Sequence, residues 1–316
     1  MTTPRTPRPE AAPRVCVFGE ALVDELPSGP RPGGAPLNVA AHAAAFGLEP
    51  LLVTRVGRDA AGAALRGALR AAGVGEGGVQ EDPDRPSGRA VVTLRGGAPR
   101  FEIPPGAAFD AIDAEEAVRA VRASRPRVVA FGTLAQREPA SRAALAAALS
   151  ATKALRLVDL NLRAPWYDGA VVCRALSSAH VVKTSDEELA EVRRLLCLTL
   201  RDPEALSADV VRRFRLRALH VTRGAHGAFV AARTGGDVVS FSEAPASAPG
   251  GEVVDTVGAG DAYTAAVLLG LVRGWTADES LRRGIGFSGA MTRVAGALPE
   301  DRDFYAPFLG EWEAAA

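Results

Sequence analysis

The sequence predicts an α/β protein in three α/β/α layers, with a mainly parallel central sheet and a small β-strand lid. Three observations carry that prediction. Short β-rich runs alternate with Ala-rich helical runs through most of the 316 residues. Gly or Pro punctuates the ends of those runs. One stretch, residues 86–105, breaks the rhythm with two strand-like runs and no helix between them.

Taken in order, residues 1–13 carry Arg and Pro but no apolar stretch, so they read as a disordered leader, not a signal peptide. Residues 14–311 then read as one domain. Arg14–Gly19 predicts a strand, and residues 20–35 are too rich in Pro and Gly for a helix. Pro36–Phe46 predicts a helix that Pro opens and Gly47 stops. Leu51–Val56 is a strand, and Asp59–Ala72 a helix closed by Gly73. Arg89–Arg95 and Pro99–Ile103 flank Gly96-Gly97 as a hairpin outside the main sheet. With residues 20–35 it forms the lid. Arg127–Gly132, Leu155–Leu160, His180–Lys183 and Arg217–Thr222 are further strands, each beside a segment of helical period. A short β-run ending near Val254 precedes an apolar helix from about Asp261.

Composition narrows the function. Basic and acidic residues number 37 each, so no electrostatic case exists for nucleic acid or for an anionic membrane. The longest apolar stretch, Ala262–Val272, is about half of what a membrane span needs. Three cysteines without a CxxC spacing fit a reduced, cytoplasmic protein. The four histidines form no zinc pattern.

The most informative segment is residues 253–272, where Gly258-Ala259-Gly260 leads into Asp261 and the helix. A helix N-terminus leaves N–H groups unpaired and carries the positive end of the dipole, which suits phosphate. A plain tight turn is one reading. A dinucleotide turn is another, but it needs a third Gly where Tyr263 stands. The third reading uses the carboxylate: Asp261 takes a proton from a hydroxyl while the 258–260 amides stabilise a moving phosphoryl group. The dipole is expected to keep Asp261 ionised. No P-loop or protein-kinase motif competes with it.

DTVGAGD at 255–261 and GGAPLNVA at 33–40 resemble the two signatures of the ribokinase-like (PfkB) carbohydrate kinases. GEALVDE (19–25), FGTLAQR (131–137), DLNLRAPWY (159–167), KTSDEEL (183–189) and TRGAHGA (222–228) are similar to the bacterial fructokinase branch and follow in the expected order. The resemblance implies a ribokinase-like fold, ATP with Mg2+ as cofactors, and a small sugar as substrate. It implies sugar contacts from Asp24, Gly33, Gly34 and Asn38, Asp261 as base, Gly258, Ala259 and Gly260 as anion hole, and Arg163 as a clamp on phosphate or substrate oxygen. For the nucleotide it implies Lys183, Ser185, Thr222, Gly224, Gly227 and Thr256, with residues 277–295 walling the adenine. Glu188 would organise water around Mg2+, and a monovalent cation such as K+ would lie near Asp255. Ser185 and Glu188 also spell a capping box, which is an equal alternative. Asp159 and Asn161 are expected to shape their loop.

Fructose is the leading substrate; 2-keto-3-deoxygluconate or a nucleoside is the alternative, and a sugar-binding regulator without catalysis the more distant one. Arg89, Arg100, Phe101 and Phe109 are expected to set hydroxyl preference from the lid. Open lid edges invite pairing into a homodimer.

Overall fold

The computed structural model of the chain describes residues 12–26, 29–95, 98–246 and 252–314. The chain begins with strands β1 (Arg14–Phe18), β2 (Leu22–Leu26) and β3 (Gly29–Gly33), then helix α1 (Ala35–Ala45). It continues through β4 (Glu49–Gly57), α2 (Ala60–Ala72), β5 (Val79–Asp82), β6 (Gly88–Arg95), β7 (Ala98–Glu102) and α3 (Ala114–Ser124). The middle is β8 (Val128–Phe131), α4 (Pro139–Ser150), β9 (Leu155–Asp159), α5 (Gly169–Ser178), β10 (Val181–Ser185), α6 (Asp186–Leu195) and α7 (Pro203–Arg213). The last third is β11 (Ala218–Thr222), β12 (Ala228–Gly235), β13 (Val238–Ala244), α8 (Ala259–Arg273), α9 (Ala277–Met291) and α10 (Ala306–Ala314).

Nine strands form the main sheet in the order β13-β12-β11-β10-β9-β8-β1-β4-β5, and four form a separate small sheet in the order β3-β2-β6-β7. The main sheet is parallel from β11 to β5; β12 and β13 add antiparallel to one edge. Alternate side chains along each central strand enter opposite cores, as the two-residue strand period requires. Cys16, Phe18, Val129, Val158 and Val182 pack on one face, and Val15, Val17, Val128, Leu157 and Val181 on the other. The second core takes α8, which is apolar on all sides and is buried from Ala262 through Gly270.

The helix boundaries follow their sequence signals. Asp59 caps α2 by accepting from the Gly62 N–H at 2.7 Å, and Gly73 ends it in the left-handed region. Gly34 precedes α1 at a φ of 101°. Two expectations fail. Residues 252–256 form no strand: Val253 and Val254 are exposed, and the Val254 and Asp255 N–H groups both donate to the Thr292 carbonyl. Without a neighbouring strand, their β propensity has nothing to pack on. Helix α8 also starts at Ala259, two residues before Asp261. The leader through residue 11 and the 96–97 turn lie outside the described residues.

Candidate active site

The carboxyl ends of β1, β8, β9, β10 and β11 open on one side of the sheet, where parallel α/β sheets place ligands. The start of α8 lies at that cleft, above Lys183 and Asp159. Gly258 holds the left-handed conformation at φ 77°, and a Cβ there would stand 2.5 Å from the Ala297 Cα. Only glycine fits. Asp255 fixes both sides of this contact, accepting from the Val257 N–H at Oδ1 and from the Gly296 N–H at Oδ2, each at 3.0 Å. Thr256 is exposed, and its carbonyl accepts from the Ala259 N–H.

Asp261 follows in the first turn, and Asn38 of α1 donates its amide to the Oδ2 at 2.7 Å. Burial pushes the Asp261 carboxyl above the usual carboxylate range; the Asn38 bond lowers it, Asp159 raises it, and Lys183 and Arg163 lower it. The net upward shift leaves Asp261 a stronger base than an ordinary Asp. The Asn38 Oδ1 is buried and has no hydrogen-bond partner. A hydroxyl donor would satisfy it.

Beneath Gly260 lies an ion pair that sequence reasoning placed differently. Lys183 is buried in the middle of β10 and donates to both oxygens of Asp159, at 3.1 and 3.2 Å. Thr264 of α8 donates to the same carboxylate at 2.7 Å. Burial works against the ammonium, but Asp159, Glu188 and Asp261 outweigh it and raise its pKa. A Cβ at Gly260 would sit 3.1 Å from the Nζ. Lys183 thus props the turn from below and is not a free cation reaching for a nucleotide.

Across the cleft, Asp24 of β2 folds its carboxylate over Gly33, where a Cβ would overlap it. Burial and Asp261 raise the Asp24 carboxyl, and Arg163 lowers it. Gly34 is equally constrained, because a Cβ would stand 3.0 Å from the Glu20 carbonyl. Glu20 was not singled out from the sequence, yet it is only 5% exposed and its carboxyl is pushed up to about 7 by burial. It lines a small cavity of about 20 Å3 with Thr133, Asp159, Asn161 and Thr264.

Arg163 itself is exposed, on the loop after β9. Asn161 turns that loop at φ 39°, the Arg163 carbonyl accepts from Trp166 N–H at 2.8 Å, and Glu188 accepts from the Leu162 N–H at 2.6 Å. The capping box is formed as well. Ser185 Oγ accepts from the Glu188 N–H at 3.2 Å, and Glu188 Oε2 accepts from the Ser185 N–H at 3.0 Å. Thr184 donates to the same oxygen. Three of the roughly four lone-pair positions of Glu188 are taken, which leaves room for a metal-bound water but not for direct chelation. Among the described residues, no group of three or more His, Cys, Asp or Glu side chains could hold a metal by itself.

Thr222 ends β11, with its hydroxyl on the Thr184 carbonyl, and residues 224–226 turn the chain back into β12 as a hairpin. Gly227 needs glycine twice over: φ is 83°, and a Cβ would overlap the Ala244 carbonyl. These residues and the turn at the start of α8 border the same open side of the sheet.

A pfkB family carbohydrate kinase profile matches residues 29–301. The chain belongs to that family. The fructokinase of Klebsiella pneumoniae is 32% identical over 277 residues, covering 82% of this chain and 84% of that one. Fructokinase-2 of Solanum habrochaites is 31% identical over 313 residues, covering 89% and 91%. Among solved structures, fructokinase from Vibrio cholerae O395 in its fructose, ADP and calcium ion bound form superposes with a TM-score of 0.75 at 26% identity, covering 95% of this chain and 100% of that one. A putative ribokinase II from E. coli shares the fold at a TM-score of 0.79 and 19% identity. The chain is a phosphotransferase of ribokinase-like fold.

In this pfkB kinase one side of the cleft rests on a hub that the sequence did not reveal. Arg137, after β8, donates to both oxygens of Asp110 at 2.7 and 2.8 Å and to the carbonyls of Ile103 and Pro104 at 3.0 and 2.7 Å. Its guanidinium lies 4.5 Å from the Trp166 ring centroid and 4.9 Å from that of Phe109. The motif FGTLAQR contained it, but nothing local marks an Arg as buried. Phe109 is fully buried under Gly88, so its expected contact with substrate hydroxyls is corrected to a packing role. Arg89 pairs with Glu25 at 3.1 Å on the surface of the small sheet. The side chains of Arg100 and Phe101 lie outside the described residues.

Proposed function

We propose that the protein transfers the γ-phosphoryl group of ATP to a primary hydroxyl of a small sugar, fructose first. One observation carries the chemistry: the half-buried Asp261 carboxylate stands in the first turn of α8 and is oriented by Asn38. The fructokinase relatives and the fructose-bound neighbour support fructose as acceptor.

In this reading Asp24, Gly33, Gly34 and Asn38 hold the sugar, with the orphaned Asn38 Oδ1 accepting from a hydroxyl. Asp261 takes the hydroxyl proton at Oδ1, the oxygen that Asn38 leaves free. The amides of residues 258–260 stabilise the charge that develops on the phosphoryl oxygens, and Arg163 clamps it from the other side. Gly260 keeps its position because Lys183, Asp159 and Thr264 fill the space under it. ATP would be held along Thr222, Gly224, Gly227, Thr256 and residues 277–295, with Ser185 at the rim. Glu188 would hold Mg2+ through water, and the ion would supply charge neutralisation for the phosphates. A monovalent cation such as K+ would bind beside the loop that Asp255 secures. The small sheet acts as a lid that excludes water, its edge strands β3 and β7 are the surfaces for a homodimer, and the enzyme works in the cytoplasm.

A coupled ADP-release assay over ketoses, aldoses, sugar acids and nucleosides tests the reading. Fructose-dependent ADP release is expected. ATP consumption that no sugar accelerates would overturn it.

A further inference from the structure

We infer that Glu20 is a substrate-contacting residue that makes the acceptor site select neutral polyhydroxylated sugars and reject sugar acids. The inference deepens the kinase reading above and rests on it. Glu20 follows β1 at the base of the acceptor pocket, and its carbonyl stands against Gly34. Glu20 is nearly buried, and no side chain of the described residues forms a hydrogen bond or ion pair with its carboxylate. Every other buried carboxylate in the cleft region is spoken for: Asp159 by Lys183 and Thr264, Asp110 by Arg137.

A carboxyl group screened from most of the solvent and without a side-chain partner is a ready acceptor or donor for a ligand hydroxyl. The cavity Glu20 shares with Thr133, Asp159, Asn161 and Thr264 has room for a single hydroxyl or water. The charged groups that face it are Arg163 from the loop after β9, Arg137 from the turn after β8, Asp261 from α8, and Asp159 across the cavity. A sugar hydroxyl fits either form of Glu20, donating to the carboxylate or accepting from the acid. A substrate carboxylate fits the ionised form badly. It brings a further negative charge beside Asp24, Asp261 and Glu20, and it has no proton to offer. Rejection by an unpaired like charge is an effective route to specificity.

Two variants test this, read by ADP release and by calorimetric titration of sugar binding. Fructose and a six-carbon aldonic acid are the probes. Glu20→Gln keeps size and hydrogen bonding but removes the charge. The preference for fructose over the acid in kcat/KM should fall by about tenfold or more, roughly the discrimination one well-placed group provides. Glu20→Asp keeps the charge and withdraws it by one methylene. The fructose KM should rise by about tenfold, with the acid still rejected and the ATP KM unchanged. An unchanged preference in the Gln variant, or an unchanged fructose KM in the Asp variant, overturns the assignment while leaving the kinase reading intact. Wild-type protein that neither binds nor phosphorylates fructose overturns both.

Discussion

The two ends of the cleft are each built over a buried ion pair, and the pairs differ in what they support. Under the phosphoryl end, Lys183 and Asp159 lie within the sheet and α8, joined by Thr264, one residue shell from Asp261. Under the acceptor end, Arg137 and Asp110 tie the segment leaving the small sheet to the loop that carries Arg163. The first pair acts on the Asp261 carboxyl, Asp159 raising and Lys183 lowering its pKa after burial and Asn38. The second sets where two loops meet. Chemistry in this fold therefore rests on strand ends and a helix, and the acceptor pocket on loops that one Arg gathers.

Breaking either pair should unfold the protein more easily, and only one should touch the base. Arg137→Met leaves Asp110 buried and uncompensated, a loss of about 3–5 kcal/mol in urea unfolding. Its kcat should change little, and its sugar KM should rise. Lys183→Met costs a similar amount. It also removes a charge that lowers the Asp261 pKa, so its kcat at neutral pH should fall and recover as pH is raised. If the two variants show the same kinetic pattern, the division between the ends is wrong.

Glu20 sharpens the comparison through pH. Its folded pKa is about 7 against an ordinary value of 4.5, so the native state keeps a proton that the unfolded chain has released. Stability contributed by this group is therefore present below about 4.5 and is lost as pH rises through about 7. Relative to the wild type, Glu20→Gln should gain stability across that window, by roughly 3 kcal/mol at most. Parallel melting curves at pH 5 and 8, with no growing gap, would contradict the burial argument. The smallest effect is at α6: Ser185→Ala removes the oxygen that caps the Glu188 N–H, and about 1 kcal/mol of stability with it.

The sequence was most informative where the physics is local. Helix ends at Asp59, Gly73 and Ser185, the hairpin beyond the main sheet, and the turn into α8 all follow from residues within a few positions of each other. Lys183, Arg137 and Glu20 were opaque for one reason: their roles depend on partners 24 to 27 residues away or on other elements altogether. Burial of a charge is a tertiary fact. The valines before Asp255 misled in the opposite direction, since β-branched residues signal a strand only if a neighbour pairs with them.

The central claim is that the Asp261 carboxylate takes the acceptor proton. Asp261→Asn keeps the shape and the contact with Asn38 while removing the base. Steady-state turnover with saturating ATP and fructose should fall by roughly 100-fold or more, with fructose binding within a few-fold of the wild type. Turnover near the wild-type value would contradict the account.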